Sequence, residues 1–331
     1  MHWIDGHLDL AYLGVCGRDL RRPCPDPAVG CLSLPALREA NVQIAFATIF
    51  TEPGAEGPGA YPSSDDLDAA EAAGLRQLAH YERLEAEGEL SIVRTREDLE
   101  GDTPLPRIVL LMEGADPVRS PEKLAWWHER GLRLIGLTWA MGTRYAGGNS
   151  KGGPLTPLGR EMIAAMDELG MVHDVSHLGD EAFDELLDVA KGPVVATHSN
   201  CRALVNDVQR HLLDDQIARL TARNGIIGLN LFTRFIVPEG RATVREAIDH
   251  VERIADIAGR RDCVALGSDM DGGFTPMELP QVLMHPSRLR LLADELRARG
   301  WNDRDIAGFA HDNWERLLRQ HLPAHARAII D

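Results

Sequence analysis

Five apolar runs of this 331-residue chain each end in a His, Asp or Glu. His7 and Asp9 close HWIDGHLD, Glu113 closes RIVLLMEG and His177 closes MVHDVSH, while His198 lies in PVVATHS and Asp269 follows CVALGSD. Imidazole nitrogens and carboxylate oxygens are the donors that hold zinc and similar divalent cations. One polar residue after an apolar strand says little. Five such ends, spread along the chain, predict one site assembled at one rim of a parallel barrel, and with it a metal-dependent hydrolase. Residues i and i+2 of a strand point the same way, so His7 and Asp9 project together and can chelate one cation. Glu113 is the candidate bridge, because one carboxylate oxygen on each of two metals holds them about 3.5–4 Å apart. A carboxylated lysine is the other bridge known in barrel hydrolases, but the only lysines, Lys123, Lys151 and Lys191, end no strand. His177 and His198, on adjacent strands at matching depth, complete a two-metal set. His173 sits deeper in its run and reads as a hydrogen-bonded core residue. His80, His128 and His250 fall on helical stretches and read as solvated or structural. Asp269 is suited to take a proton from an attacking water and pass it to the leaving amine; Asp271, of the same parity, is the alternative.

The elements that must position these groups alternate along the chain. Strands are predicted near residues 2–9, 42–50, 107–113, 132–138, 171–176, 193–199, 225–231 and 263–269. Helices are predicted at about 64–88, 121–130, 156–169, 179–190, 212–224, 243–258, 287–299 and 303–319. The first connection reads mostly as loop, with a short helix near 34–40. Ser120 and Thr156 each precede a proline, the pattern of an N-cap followed by proline at the first helical position. Gly131, Gly170 and Gly225 fall where helices hand over to strands, as C-cap glycines do. Strands that are apolar throughout are buried on both faces, as in a parallel sheet wrapped by helices. Eight of them predict an α/β fold of the (β/α)8 TIM-barrel type over residues 1–331 as a single domain; a doubly wound open sheet is the alternative. The Gly/Pro-rich loops at 54–62 and 142–154 are long enough to act as flaps over a site.

Composition narrows the partners. A formal charge of −16 and the lack of a basic stripe argue against nucleic acid or an anionic membrane surface. No apolar run is long enough to span a bilayer, and MHWIDGHLDL lacks the basic start of a secretory signal. The five cysteines show no CxxC pair. Cys16, Cys24 and Cys31 share one early loop, but their irregular spacing reads as free thiols rather than a zinc loop. A reducing cytoplasm is the expected setting.

These residues, in order and spacing, resemble the membrane (renal) dipeptidase family of zinc peptidases, within the amidohydrolase-like superfamily. DGHLDL is similar to the family's DGHNDL, MEGAD to its IEG segment, LGMVHDVSH to LGM–DLSH and THSNCRAL to SHSN–R. QRHLLDDQI resembles its RN–DDQI loop and GSDMDG its GSDFDG. The likeness covers nearly the whole chain. It implies a (β/α)8 barrel with two Zn2+ ions, one held by His7, Asp9 and Glu113 and the other by Glu113, His177 and His198. It also implies that Arg210 holds the carboxylate of a dipeptide substrate, that Asp269 acts in proton transfer, and that the chain associates as a homodimer, as family members often do. One departure stands out: where the family carries LTHN after strand four, this chain has Leu137, Thr138, Trp139 and Ala140, and the family's asparagine four residues on is Thr143. The missing histidine is a donor to the scissile carbonyl or its oxyanion, a role commonly worth about 10²–10³ in rate.

The expected function is therefore hydrolysis of the amide bond of a dipeptide or similar compound by a metal-bridged hydroxide. Two alternatives attach to Trp139 as a pocket residue: hydrolysis of another small amide, N-acyl amino acid or lactone, and a catalytically silent metal-binding barrel.

Overall fold

Each of the eight apolar runs forms a strand in the computed structural model, which describes residues 1–101 and 103–325. We label the barrel strands β1 (Trp3–Leu8), β2 (Val42–Phe50), β3 (Arg107–Glu113), β4 (Leu132–Gly136), β5 (Val172–Asp174), β6 (Val194–Val195), β7 (Ile227–Leu229) and β8 (Val264–Leu266). Parallel ladders join β1 through β6 in sequence order. The longest is β2 on β3, in unbroken register from Ile44↔Arg107 to Phe50↔Glu113. β6 meets β7 through the single bridge Ala196↔Ile227, and β7 pairs with β8. The ring closes onto β1 when Asp269 N donates to His7 O at 3.2 Å and Ser268 N to Asp5 Oδ1 at 2.8 Å.

The barrel floor is a layer of branched and aromatic residues, among them Ile4, Ile44, Phe46, Val109, Leu111, Leu134 and Val195. Trp314, from the helix Asn313–His321, seals it and donates its indole N–H to Leu266 O at 2.7 Å. The rim side is drawn tight around the backbone of Thr197. A Cβ on Gly228 or Gly267 would lie 1.9 or 1.8 Å from Thr197 O, so both strands approach only because these residues have no side chain.

Helices cover the outside close to their expected positions: Leu67–Ala86, Leu124–Glu129, Pro157–Leu169, Asp180–Val189, Asp214–Ala222, Val244–Ala258 and Arg290–Ala298. Thr156 caps Pro157–Leu169 by accepting from Gly159 N, and Gly170 ends that helix in the left-handed conformation. Ser120 makes no such side-chain cap. The handover at Gly225 differs from expectation. Asn224 takes the left-handed position (φ 62°), and Gly225 is required instead by its approach to Leu220 O, 2.6 Å from where a Cβ would sit. A short helix, Leu10–Val15, also follows β1 where loop was expected. The 303–319 helix is interrupted by a π turn at Gly308–Asp312.

Six strands are shorter at their C-terminal ends than predicted: β1 stops at Leu8, β4 at Gly136, β5 at Asp174, β6 at Val195, β7 at Leu229 and β8 at Leu266. The side chains beyond them are consequently aimed by turns and not by strand parity. No helix among the described residues is long and apolar enough to cross a membrane. All five cysteines are free.

Candidate metal centre

The predicted ligands converge at one rim and all are buried. His7 lies inside β1, where a register shift between Asp5 and Leu8 re-aims the strand end. Glu113 is the last residue of β3. His177 follows β5 by three residues with φ 66°, and Asp269 follows β8 by three residues with φ 57°. Left-handed backbone at a residue with a side chain is strained, and such strain concentrates at functional sites. Here it turns both side chains inward after their strands have ended.

Glu113 stands at the centre. Its Oε1 lies 3.2 Å from His177 Nε2 and 3.5 Å from His198 Nε2, while Oε2 faces His7 Nε2 at 3.6 Å. His7 Nε2 is 3.9 Å from Asp9 Oδ1. His177 and His198 present their Nε2 atoms to each other at 3.1 Å, and the His7 and His198 rings stack at 3.6 Å. The donor atoms of His7, Glu113 and His198 lie within 4.8 Å of one another, as do those of His7, Asp9 and Asp269.

A supporting set holds these groups in place. Asp9 accepts a hydrogen bond from Thr48 Oγ1. Asp5 accepts from the His7 backbone N–H at 3.2 Å. His177 Nδ1 faces Asn149 Oδ1 at 3.0 Å, tying the 142–154 flap to the site. Thr197 Oγ1 donates to Asp174 Oδ2 at 2.5 Å and faces His198 Nδ1 at 3.0 Å. Asn230 Nδ2 donates to Asp269 Oδ2 at 2.8 Å. None of Asp5, Thr48, Asn149, Asp174, Thr197 or Asn230 was singled out from sequence. Asn230, which ends the apolar run GIIGLN, carried the same strand-end signal as the ligands, and Asp5 shares the parity of His7.

The electrostatics are those of a site short of positive charge. Burial, reinforced by Arg210, lowers His7 to about 3 and holds His177 well below the ordinary imidazole value; burial, then His7 and Arg210, do the same to His198. All three rings are thus neutral donors at physiological pH. Burial raises Asp9 to about 6. Burial, then the charges of Asp9 and Asp269, push Glu113 well above the usual carboxylate range. Glu113 Oε1 is buried with no hydrogen-bond donor. Opposed imidazole lone pairs and crowded carboxylates suit divalent cations, and N/O donors of this kind suit zinc.

Two site candidates need separate statements. Asp271 does not enter the rim: its carboxylate accepts from Arg18 and from the backbone N–H groups of Cys31 and Leu32, each at 2.9 Å. Arg210 is buried behind His198, donating to His198 O at 2.7 Å and Ser199 Oγ at 3.1 Å, and its Nε–H has no acceptor. It is not among the residues that line the cavity over the metal site. His173 is a core residue as expected, its Nε2 2.8 Å from Asp167 Oδ1. His80, His128 and His250 are buried and structural rather than solvated.

Above the cage lies a cavity of about 310 Å³, walled by Tyr12, Phe50, Trp139, Phe232, Phe235 and Phe274 and floored by the ligands and Asp269. The indole of Trp139 packs 5.3 Å from the Phe50 ring and 5.8 Å from the His177 ring. A family model described as membrane dipeptidase (peptidase family M19) matches residues 1–328. The chain belongs to this family of metallo-dipeptidases. Among curated relatives, an uncharacterised protein in the pqqA 5′ region of Klebsiella pneumoniae is 33% identical over 58% of this chain and 73% of its own length. Dipeptidase 3 of Mus musculus is 28% identical over 78% of this chain, which spans about half (53%) of the mouse protein. Of solved structures, a metallo peptidase from Rhodobacter sphaeroides liganded with a phosphinate mimic of L-Ala-D-Ala aligns with a TM-score of 0.84 at 26% identity, covering 97% of this chain and 99% of that one. The probable dipeptidase PvdM from Pseudomonas aeruginosa shares the fold, with a TM-score of 0.84 at 20% identity over 97% of this chain and 96% of that chain. These likenesses agree with the barrel read from the strand pattern and with the family resemblance carried by the motifs.

Proposed function

We propose that this M19 chain is a binuclear metal-dependent hydrolase that cleaves the amide bond of dipeptides or dipeptide-like compounds with a free carboxylate. The observation that carries this reading is the position of Glu113, with Oε1 toward His177 and His198 and Oε2 toward His7. His7, Asp9 and Glu113 would hold one zinc, and Glu113, His177 and His198 the second. When bound, the two cations supply a nucleophile at neutral pH and polarise the scissile carbonyl. Asp269 is the proton carrier: Asn230 fixes its Oδ2, and its Oδ1 packs against Gly272, where a Cβ would lie 1.9 Å away. Arg210, buried behind His198 and outside the cavity lining, supplies positive charge beside the cage; the family's carboxylate contact would require its guanidinium to swing out from Ser199 and the His198 carbonyl. The aromatic walls exclude water and orient the side chains on either side of the scissile bond. The bound L-Ala-D-Ala mimic of the R. sphaeroides relative supports a dipeptide of small residues as the first substrate to try.

A second reading, hydrolysis of another small amide, rests on Trp139, which replaces the family's histidine and fills part of the cavity wall. Elemental analysis tests the metal centre: about two zinc ions per chain are expected, and a metal-free protein refutes both readings. A dipeptide panel with the metal-loaded protein tests the reaction. If neither the parent nor Trp139→His turns over any dipeptide, the dipeptidase reading fails; turnover of a non-peptide amide alone favours the second.

A further inference from the structure

The cavity over the cage shares one wall with a wider groove of about 860 Å³ under the two flaps, and Glu52 and Trp139 line both. Glu52 follows β2 in a short strand, Glu52–Pro53, whose backbone is pinned when Glu52 N donates to Gly59 O at 3.1 Å. Its carboxylate is half-buried, and among the described residues it makes no ion pair or side-chain hydrogen bond. It belongs to neither group of clustered metal-binding donors at the rim. The only other charged residue lining the groove, Lys151, is exposed and forms no ion pair with Glu52. Desolvating a carboxylate without a partner is unfavourable, so an acid held at this junction is explained by a cation that arrives with the substrate. The approach to it is apolar: Tyr12 packs edge-on to Phe50 at 5.4 Å, and Phe50 edge-on to Trp139 at 5.3 Å. An aromatic wall ending in a carboxylate suits a methylene chain that carries a terminal ammonium or guanidinium group.

We propose that Glu52 is a specificity-determining residue that selects substrates whose first residue bears a cationic side chain of lysine or arginine type. This rests on the reading of the rim as a peptide-hydrolysing site. The scissile carbonyl lies over the cage, the side chain of the first residue runs along Tyr12, Phe50 and Trp139, and its terminal cation meets Glu52 at the mouth of the groove.

The test uses the full chain loaded with zinc and a matched pair of substrates, Lys-Ala and norleucine-Ala, which share a four-carbon side chain and differ in the charge. The parent is expected to favour Lys-Ala in kcat/KM by about tenfold, the scale of one charge-assisted hydrogen bond in a partly solvated setting. Glu52→Gln is expected to bring that ratio close to one, losing far more on Lys-Ala than on norleucine-Ala. An unchanged ratio in Glu52→Gln, or no preference in the parent, overturns the proposal. Calorimetric binding of L-lysinamide and norleucinamide to both proteins gives an answer that does not depend on turnover. If neither the parent nor Trp139→His cleaves either dipeptide, the reading of the rim as a dipeptide site fails. In that case tighter binding of lysinamide that is lost in Glu52→Gln still supports Glu52 as the cation site, and equal binding of the two amides refutes it.

Discussion

Thr197→Val removes a single oxygen from behind the cage, and its effect can be worked out from the contacts. The Thr197 hydroxyl donates its proton to Asp174 Oδ2 at 2.5 Å, so the lone pair left on Oγ1 accepts from His198 Nδ1 at 3.0 Å. That arrangement places the imidazole proton on Nδ1 and leaves Nε2 as the lone-pair donor facing Glu113 and His177. Valine has the same branching but no acceptor. The Nδ1–H of His198 then stays buried without a partner, at a cost of about 1–3 kcal/mol, and nothing selects the tautomer the metal needs. Loss of such an outer partner typically weakens metal binding about 10–100-fold, or roughly 1.4–2.7 kcal/mol. Asp174 keeps its backbone donors, Ser176 N at 3.0 Å and Thr197 N at 2.9 Å, so the rim itself should stay folded. The loss should therefore fall on the cation shared by His177 and His198, while the one shared by His7 and Asp9 is retained. Titration against a chelator of known affinity reads the two steps separately. If Thr197→Val holds both ions with the parent's affinities, the hydroxyl does not orient His198 and the argument is wrong.

Three further outcomes follow from particular contacts. Trp139→His restores the family's donor and is expected to raise dipeptide kcat/KM by about 10²–10³, read in a steady-state assay; no gain would mean that Trp139 is not what limits this reaction. Asp269→Asn is expected to lower kcat by about 10²–10⁴ with little change in melting temperature, whereas Asp271→Ala breaks a part-buried pair with Arg18, leaves the Cys31 and Leu32 N–H groups without their acceptor, and should cost about 1–3 kcal/mol of stability while the folded fraction keeps its kcat; unfolding curves and kcat measured on both variants separate the two roles. His211 is lowered to about 3 by burial and by the neighbouring Arg210, and neither ring nitrogen has a hydrogen-bond partner. Its folded pKa lies below the unfolded value of about 6.5, so the unfolded chain binds the proton first. The stability contribution is complete above that pH and is lost as pH falls toward 3, at up to about 1.4 kcal/mol per unit. His211→Phe should accordingly lose about 2 kcal/mol less than the parent between pH 7 and pH 5 in urea unfolding, and parallel losses would refute the assignment.

The ligand set was legible because each member closes an apolar run. Burial on both faces makes the run recognisable, and the first polar residue after it marks the rim. What was not legible is how His177 and Asp269 reach the site. Strand parity was expected to aim them, yet both strands stop three residues earlier and left-handed turns do the aiming. His and Asp are enriched among positive-φ residues, but the types alone do not mark which of the chain's many copies take that conformation. Asp271 was open as the proton carrier for the same reason: parity cannot reveal that Arg18 and the backbone of Cys31 and Leu32, some 240 residues away in sequence, already occupy it. Arg210 entered by resemblance alone, since a loop arginine has no sequence mark of burial. The partners Thr48, Asn149 and Asp174 were missed because a hydrogen bond across the barrel depends on tertiary placement.

The seam of the barrel runs through the site. β8 reaches β1 through Asp269 N to His7 O and Ser268 N to Asp5, beside the very groups that would share the first cation. His7 and Asp9 lie at the end of β1 and Asp269 just beyond β8, about 260 residues further on, so no fragment lacking β8 holds both the cage and its proton carrier. Ring closure and hydrolytic competence become one event, and a nascent or cleaved polypeptide lacking β8 is silent by construction of the fold.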